Sequence, residues 1–103
     1  MRDGAFMLDD MDVDEADTIT FPFEGWVLPG QTIMSATMTV EVLAGADGTP
    51  AALLVGSAQI VGTNVLQDVV ARGAGVTYKL RCTARISATK VRTSAALLRV
   101  VRL

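Results

Sequence analysis

The chain has 103 residues, half of them apolar, with one cysteine, no histidine and a net charge of −2. Such a length holds one domain with a real core. The missing histidine removes the commonest general base and metal ligand, and a lone Cys82 excludes an intrachain disulfide. The near-balance of charge conceals a polarity. Residues 1–68 carry all 11 acidic side chains and one basic one, Arg2, while residues 69–103 carry the other eight basic side chains and no acidic ones. Asymmetry of this kind points to an acidic tail, a basic binding surface, or both.

Residues 1–17 hold Asp3, Asp9, Asp10, Asp12, Asp14, Glu15 and Asp17, with Phe6, Met7, Leu8, Met11 and Val13 among them. The start lacks the basic and apolar regions of a secretory signal. Mutual repulsion and poor patterning argue against packed local structure. The expectation is an acidic N-terminal arm over 1–17. It is either solvated or docked on a neighbour through Phe6 and Leu8, with Asp9, Asp10, Asp12, Asp14 and Glu15 facing a basic surface. The EF-hand calcium-loop pattern is not met. Counted from Asp10, the sixth and twelfth positions hold Glu15 and Phe21, where glycine and glutamate are required.

From residue 18 to 103 the chain reads as strands and turns. Ile19–Phe23 is a short strand that Pro22 confines to an edge. Trp26 follows, either a plug for the core or an interface anchor. Leu28-Pro29-Gly30-Gln31 suits a type II turn. Residues 33–42 alternate, with Met34, Ala36, Met38, Val40 and Val42 on one side and Ser35, Thr37, Thr39 and Glu41 on the other. That period marks a half-buried strand. Asp47-Gly48 signals a hairpin turn. Residues 51–55, 57–61 and 64–71 are further strand candidates. The uncharged stretch 48–67 is broken by Pro50, Gly56, Gly62 and Asn64, so it is not a membrane helix.

The clearest element spans residues 76–89. Val76, Tyr78, Leu80, Cys82, Ala84, Ile86 and Ala88 alternate with Thr77, Lys79, Arg81, Thr83, Arg85, Ser87 and Thr89. A slip of one residue would bury three cations, so the register is tightly specified. Residues 90–93 are expected to turn. A last strand over 94–103 faces Ala96, Leu98 and Val100 inward and leaves Arg99 outside.

Lys79, Arg81 and Arg85 therefore form a basic stripe. A nucleic-acid reader interleaves such charges with aromatic platforms, whereas here Tyr78 points to the other face. The stripe is read as a solvated face or a dock for an acidic partner surface, with nucleic acid disfavoured. Gly73-Ala74-Gly75 lacks the Gly-Lys-Ser/Thr and the helix of a phosphate loop. No catalytic site, metal or cofactor is expected, and Cys82 is read as a core residue. The expected fold class is all-β: a single immunoglobulin-like antiparallel β-sandwich of about seven strands over 18–103, with the arm attached and a small β-barrel as the alternative.

A resemblance adds to this. Phe21-Pro-Phe-Glu-Gly-Trp26, Leu28-Pro-Gly-Gln-Thr-Ile33, the alternating strand after Ser35, Gly73-Ala-Gly-Val-Thr-Tyr78 and Thr89-Lys-Val-Arg-Thr93 follow one another in order. Together they resemble the small immunoglobulin-like virion proteins of tailed phages, the fiber–tail adaptor type. The resemblance implies a non-enzymatic structural protein that joins tail or neck to fibers. It would be located in the virion after assembly in the host cytoplasm, with other virion proteins and copies of itself as partners. The alternatives are a capsid decoration or cement protein and a small nucleic-acid-binding β-domain. No membrane partner is expected.

Overall fold

Alternation in the strand around Tyr78 sets the centre of the molecule. A computed structural model describes residues 6–102. Arg2 and Asp3 of the expected arm lie outside the described residues. The strands are β1 (Phe6–Met7), β2 (Met11–Asp12), β3 (Ala16–Pro22), β4 (Ser35–Ala44), β5 (Leu54–Val61), β6 (Asn64–Val70), β7 (Thr77–Ser87) and β8 (Lys90–Val101). Two 3-10 turns, Glu24–Trp26 and Pro50–Leu53, are the only helical elements among the described residues.

One sheet has the order β4-β7-β8, with β1 and β2 along the outer edge of β8; the other has the order β3-β6-β5. Immunoglobulin-like sandwiches place strands B, E and D in one sheet and C, F and G in the other. Here β3-β6-β5 and β4-β7-β8 take those places, and the first strand borders β8 instead of β3. The expected sandwich region holds six strands, β3 to β8, and β1 with β2, counted as one interrupted strand, adds a seventh position from the expected arm.

The core lies between the sheets. Tyr78, Leu80, Cys82, Ala84 and Ile86 of β7 are buried, as are Ala96, Leu98 and Val100 of β8. Ile19 and Phe21 of β3 and Val65 and Val69 of β6 meet them from the other sheet. Each buried Val, Leu, Ile or Phe among them contributes roughly 1.5–3 kcal/mol through removal from water. Pro22 ends β3 at the margin of its sheet, where a missing backbone donor costs nothing. The turn at 28–31 forms as the sequence demands, with Gly30 at φ 85° and the Gln31 N–H donating to the Leu28 carbonyl at 2.9 Å.

Several expectations need correction. The expected antiparallel sandwich over 18–103 is present, but the segment before it adds β1 and β2, which run parallel to β8. From residue 6 the expected arm is built into the fold. Its apolar residues cover the β8 edge before the chain crosses to the other sheet at Ala16. Asp47-Gly48 makes no hairpin, since β4 and β5 belong to different sheets. The β7–β8 turn is Ala88-Thr89 rather than 90–93, so Ala88 is exposed and β8 begins at Lys90. Residues 50–53 form a 3-10 turn, which Pro50 starts and Leu53 anchors in the core.

Candidate protein-interaction site

Two surfaces carry the residues singled out by the sequence. The first is the N-terminal edge. Phe6 and Met7 pair with Ala96 and Leu97. The Leu8 N–H then donates to the Leu97 carbonyl at 2.9 Å. Met11 and Asp12 pair with Val100 and Val101, and the Val13 N–H donates to the Val101 carbonyl at 3.0 Å. Phe6 meets Phe21 edge-on at 5.9 Å between ring centroids, and Leu8 and Val13 pack against the core. Met11 enters that core outright at 8 % exposure.

A turn then redirects the chain. Asp14 has φ 74°, in the left-handed region that side chains disfavour. The Glu15 carboxylate accepts the Asp12 N–H at 2.5 Å, and the Asp12 carboxylate accepts the Val13 N–H at 2.9 Å. The Asp14 N–H donates to the Ala71 carbonyl, and the Ala71 N–H donates to the Glu15 carbonyl. Asp12 and Glu15 thus shape the turn.

Asp9 is exposed. Asp10 meets Arg99 through a two-pronged contact, Nε to Oδ1 at 3.2 Å and Nη2 to Oδ2 at 2.5 Å. The Arg99 guanidinium holds the Asp10 carboxyl below its ordinary value. Arg99, expected outside, is indeed there, but its role in holding the N-terminal edge was not legible in the sequence. A cleft of about 380 Å³ opens between this edge and β3. Leu8, Met11, Ile19 and Leu98 contribute its apolar lining, and Asp9 and Glu15 stand among its polar residues.

The second surface is the outer face of the larger sheet. Lys79, Arg81 and Arg85 occupy outward positions of its central strand β7. Lys79 lies between Glu41 and Leu97, Arg81 between Thr39 and Ala95, and Arg85 between Ser35 and Val91. None of the three forms an ion pair among the described residues. Arg85 turns back on the hairpin and donates to the Ser87 and Ala88 carbonyls, each at 3.4 Å. Arg81 has only short neighbours across the ladder, whereas Lys79 has the Glu41 carboxylate on one side and Leu97 on the other.

Trp26 sits apart from both surfaces. It is half-buried on the 3-10 turn, its ring 5.5 Å from that of Phe23. Phe23, only 1 % exposed, is the residue that enters the core there. The structure therefore joins Phe6, Leu8, Asp9, Asp10, Asp12, Asp14 and Glu15 in one edge and Lys79, Arg81 and Arg85 in one face. No protein-family model matches this chain, and no curated protein matches it.

Proposed function

We propose that the protein is a non-enzymatic virion structural module of a tailed phage, of the fiber–tail adaptor type, which associates with copies of itself and with other virion proteins. The observation that carries the assembly part of this reading is the pairing of opposite surfaces on one small sandwich. A carboxylate-rich edge runs from Asp9 to Asp17, and an unbridged basic row stands on β7. Unlike surfaces on one protomer suit a heterologous contact, which closes into a ring when the rotation per subunit allows. The phage and fiber part rests on the sequence resemblance and on the immunoglobulin-like strand order.

Negative-stain imaging and light scattering of the full chain test the assembly. Rings or larger particles are expected at low salt, with dissociation as salt screens the contact. The Arg81→Glu variant should dissociate at lower salt than the parent. Monomers at every concentration would remove self-assembly from the reading. The same unbridged row favours one second reading, nucleic-acid binding. That reading requires retention of DNA or RNA in a low-salt filter assay, with steep loss as salt rises.

A further inference from the structure

We propose that residues 6–13 are an exchangeable strap, which one protomer donates to the β8 edge of a second copy. This rests only on the self-association part of the function proposed above. The strap carries apolar cover that the sandwich needs. Met11 is in the core, Phe6 lies against Phe21, and Leu8 and Val13 pack on the same cluster. Yet its attachment is discontinuous. Two ladders of two residues each, extended by the Leu8 and Val13 N–H bonds to the Leu97 and Val101 carbonyls, hold it to β8, and between them the exposed Asp10 meets Arg99. A cleft lined by Leu8 and Met11 from the strap and by Ile19 and Thr20 from β3 lies between the two.

The hinge is short and strained. Between β2 and β3 stand only Val13, Asp14 and Glu15, and Asp14 is left-handed at φ 74°. Six carboxylates crowd the nine residues from Asp9 to Asp17. Extending the hinge relaxes Asp14 and spreads these charges, in exchange for the two Asp12–Glu15 bonds that close the turn. The contacts given up within the chain are then remade on a neighbour, and short hinges under strain favour that exchange.

The occupant of the vacated edge is specified by its register. Phe6 matches Ala96, Met7 matches Leu97, Met11 matches Val100, and Asp10 meets Arg99. A second copy of this chain offers the same apolar spacing together with a carboxylate placed for Arg99.

Cross-linking tests this. Met7 is 63 % exposed and pairs with Leu97 on the outer side of the sheet. Met7→Cys and Leu97→Cys are made in separate chains, one of them tagged, then refolded together and oxidised. Buried Cys82 takes no part. A disulfide-linked heterodimer is expected, at least several-fold above a pairing of Leu97→Cys with Met34→Cys, an equally exposed site on another edge. The proposal is overturned if the linked heterodimer is no more abundant than that control while a single chain carrying both Met7→Cys and Leu97→Cys closes on itself. Particles that persist without a link would sink the strap and spare the assembly reading. A link without particles would do the reverse.

Discussion

Tyr78 donates its hydroxyl proton to Asp47 Oδ2 at 2.7 Å and accepts the Gly73 N–H at 3.3 Å. The pair joins the loop after β4 to the turn before β7, 31 residues apart. A tyrosine near the start of strand F that bonds back to backbone a few residues upstream is a known feature of immunoglobulin domains. Tyr78 occupies that place, with a carboxylate added as its acceptor. Burial, and then the hydrogen bond to Asp47, push the phenol above its ordinary value. The same hydrogen bond, together with the Thr49 N–H, lowers the Asp47 carboxyl.

Removing the hydroxyl isolates this contact. Tyr78→Phe keeps the buried ring and loses both hydrogen bonds. The expected loss of stability is about 1–2 kcal/mol, the worth of one or two hydrogen bonds in a partly wet setting. Urea unfolding reads it as a lower midpoint with an unchanged slope. An unchanged midpoint would show that water replaces the hydroxyl at no cost.

Acid should weaken the fold through two carboxylates. Asp47 and Asp10 both have lowered values in the folded chain, the first through Tyr78 and the second through Arg99. A depressed carboxylate stabilises the fold above its unfolded value, about pH 4. That contribution disappears as pH falls through the lower folded value. Asp47→Asn and Asp10→Asn should each flatten the acid limb of a stability–pH curve and leave its shape near neutrality unchanged. Both variants retaining the parental acid limb would contradict the assignment.

Gly45 is fixed by conformation and space together. Its φ is 86°, and a Cβ there would stand 2.8 Å from the Gly75 carbonyl oxygen and 3.0 Å from the Val76 Cα. Both are backbone atoms and cannot swing aside. Gly45→Ala should cost about 2–3 kcal/mol from left-handed strain plus overlap. Gly48→Ala serves as the comparison, because nothing lies within 4 Å of its Cβ position. Thermal unfolding should show a clear drop for the first and little change for the second.

Gln67 holds the edge of the smaller sheet in order. It is the one buried polar side chain among the described residues, at 1 % exposure. Its Nε2 lies 3.3, 3.2 and 2.9 Å from the carbonyls of Val55, Gly56 and Asp68. The register of β5 against β6 breaks between Val55 and Gln59, and Gly56 takes φ 71° there. The amide thus serves carbonyls that the break in the ladder exposes. Gln67→Leu should cost about 1–3 kcal/mol, the penalty for unsatisfied acceptors. Gln67→Glu should cost more, and its deficit should grow as pH rises, because burial disfavours the ionised carboxylate. Chemical unfolding at two pH values checks both.

The large-sheet core was legible because β7 announces itself locally: every second residue from Tyr78 to Ile86 is apolar, and the outward set carries the cations. The inward set Ala96, Leu98 and Val100 was legible for the same reason. Residues 6–13 were not. Their carboxylates read as repulsion, yet Asp9 is exposed and Asp10 meets Arg99 while Met11 turns inward. The parallel partner of this segment lies some 90 residues away, so no turn or spacing announces it. Asp47-Gly48 misled for a related reason, since the dipeptide signals a hairpin but cannot show that the chain changes sheets. Gln67 carried a faint signal, a polar residue between inward Val65 and Val69, but the break it serves depends on β5.

The thiol of Cys82 should be silent in the folded protein. It is fully buried on β7, and burial pushes it up to about 12. An ordinary cysteine ionises near pH 8.5 and reacts as its thiolate. At about pH 8 the folded chain should therefore consume no aromatic disulfide reagent, while the chain in denaturant should consume one equivalent. The reaction rate in dilute denaturant then reports how often the core opens. Rapid labelling of the native protein would place Cys82 at an accessible edge and refute the inward register of β7. Cys82→Ala should leave a small cavity and cost less than Cys82→Ser, whose hydroxyl would enter an apolar layer at a penalty of about 1–3 kcal/mol if no partner is found.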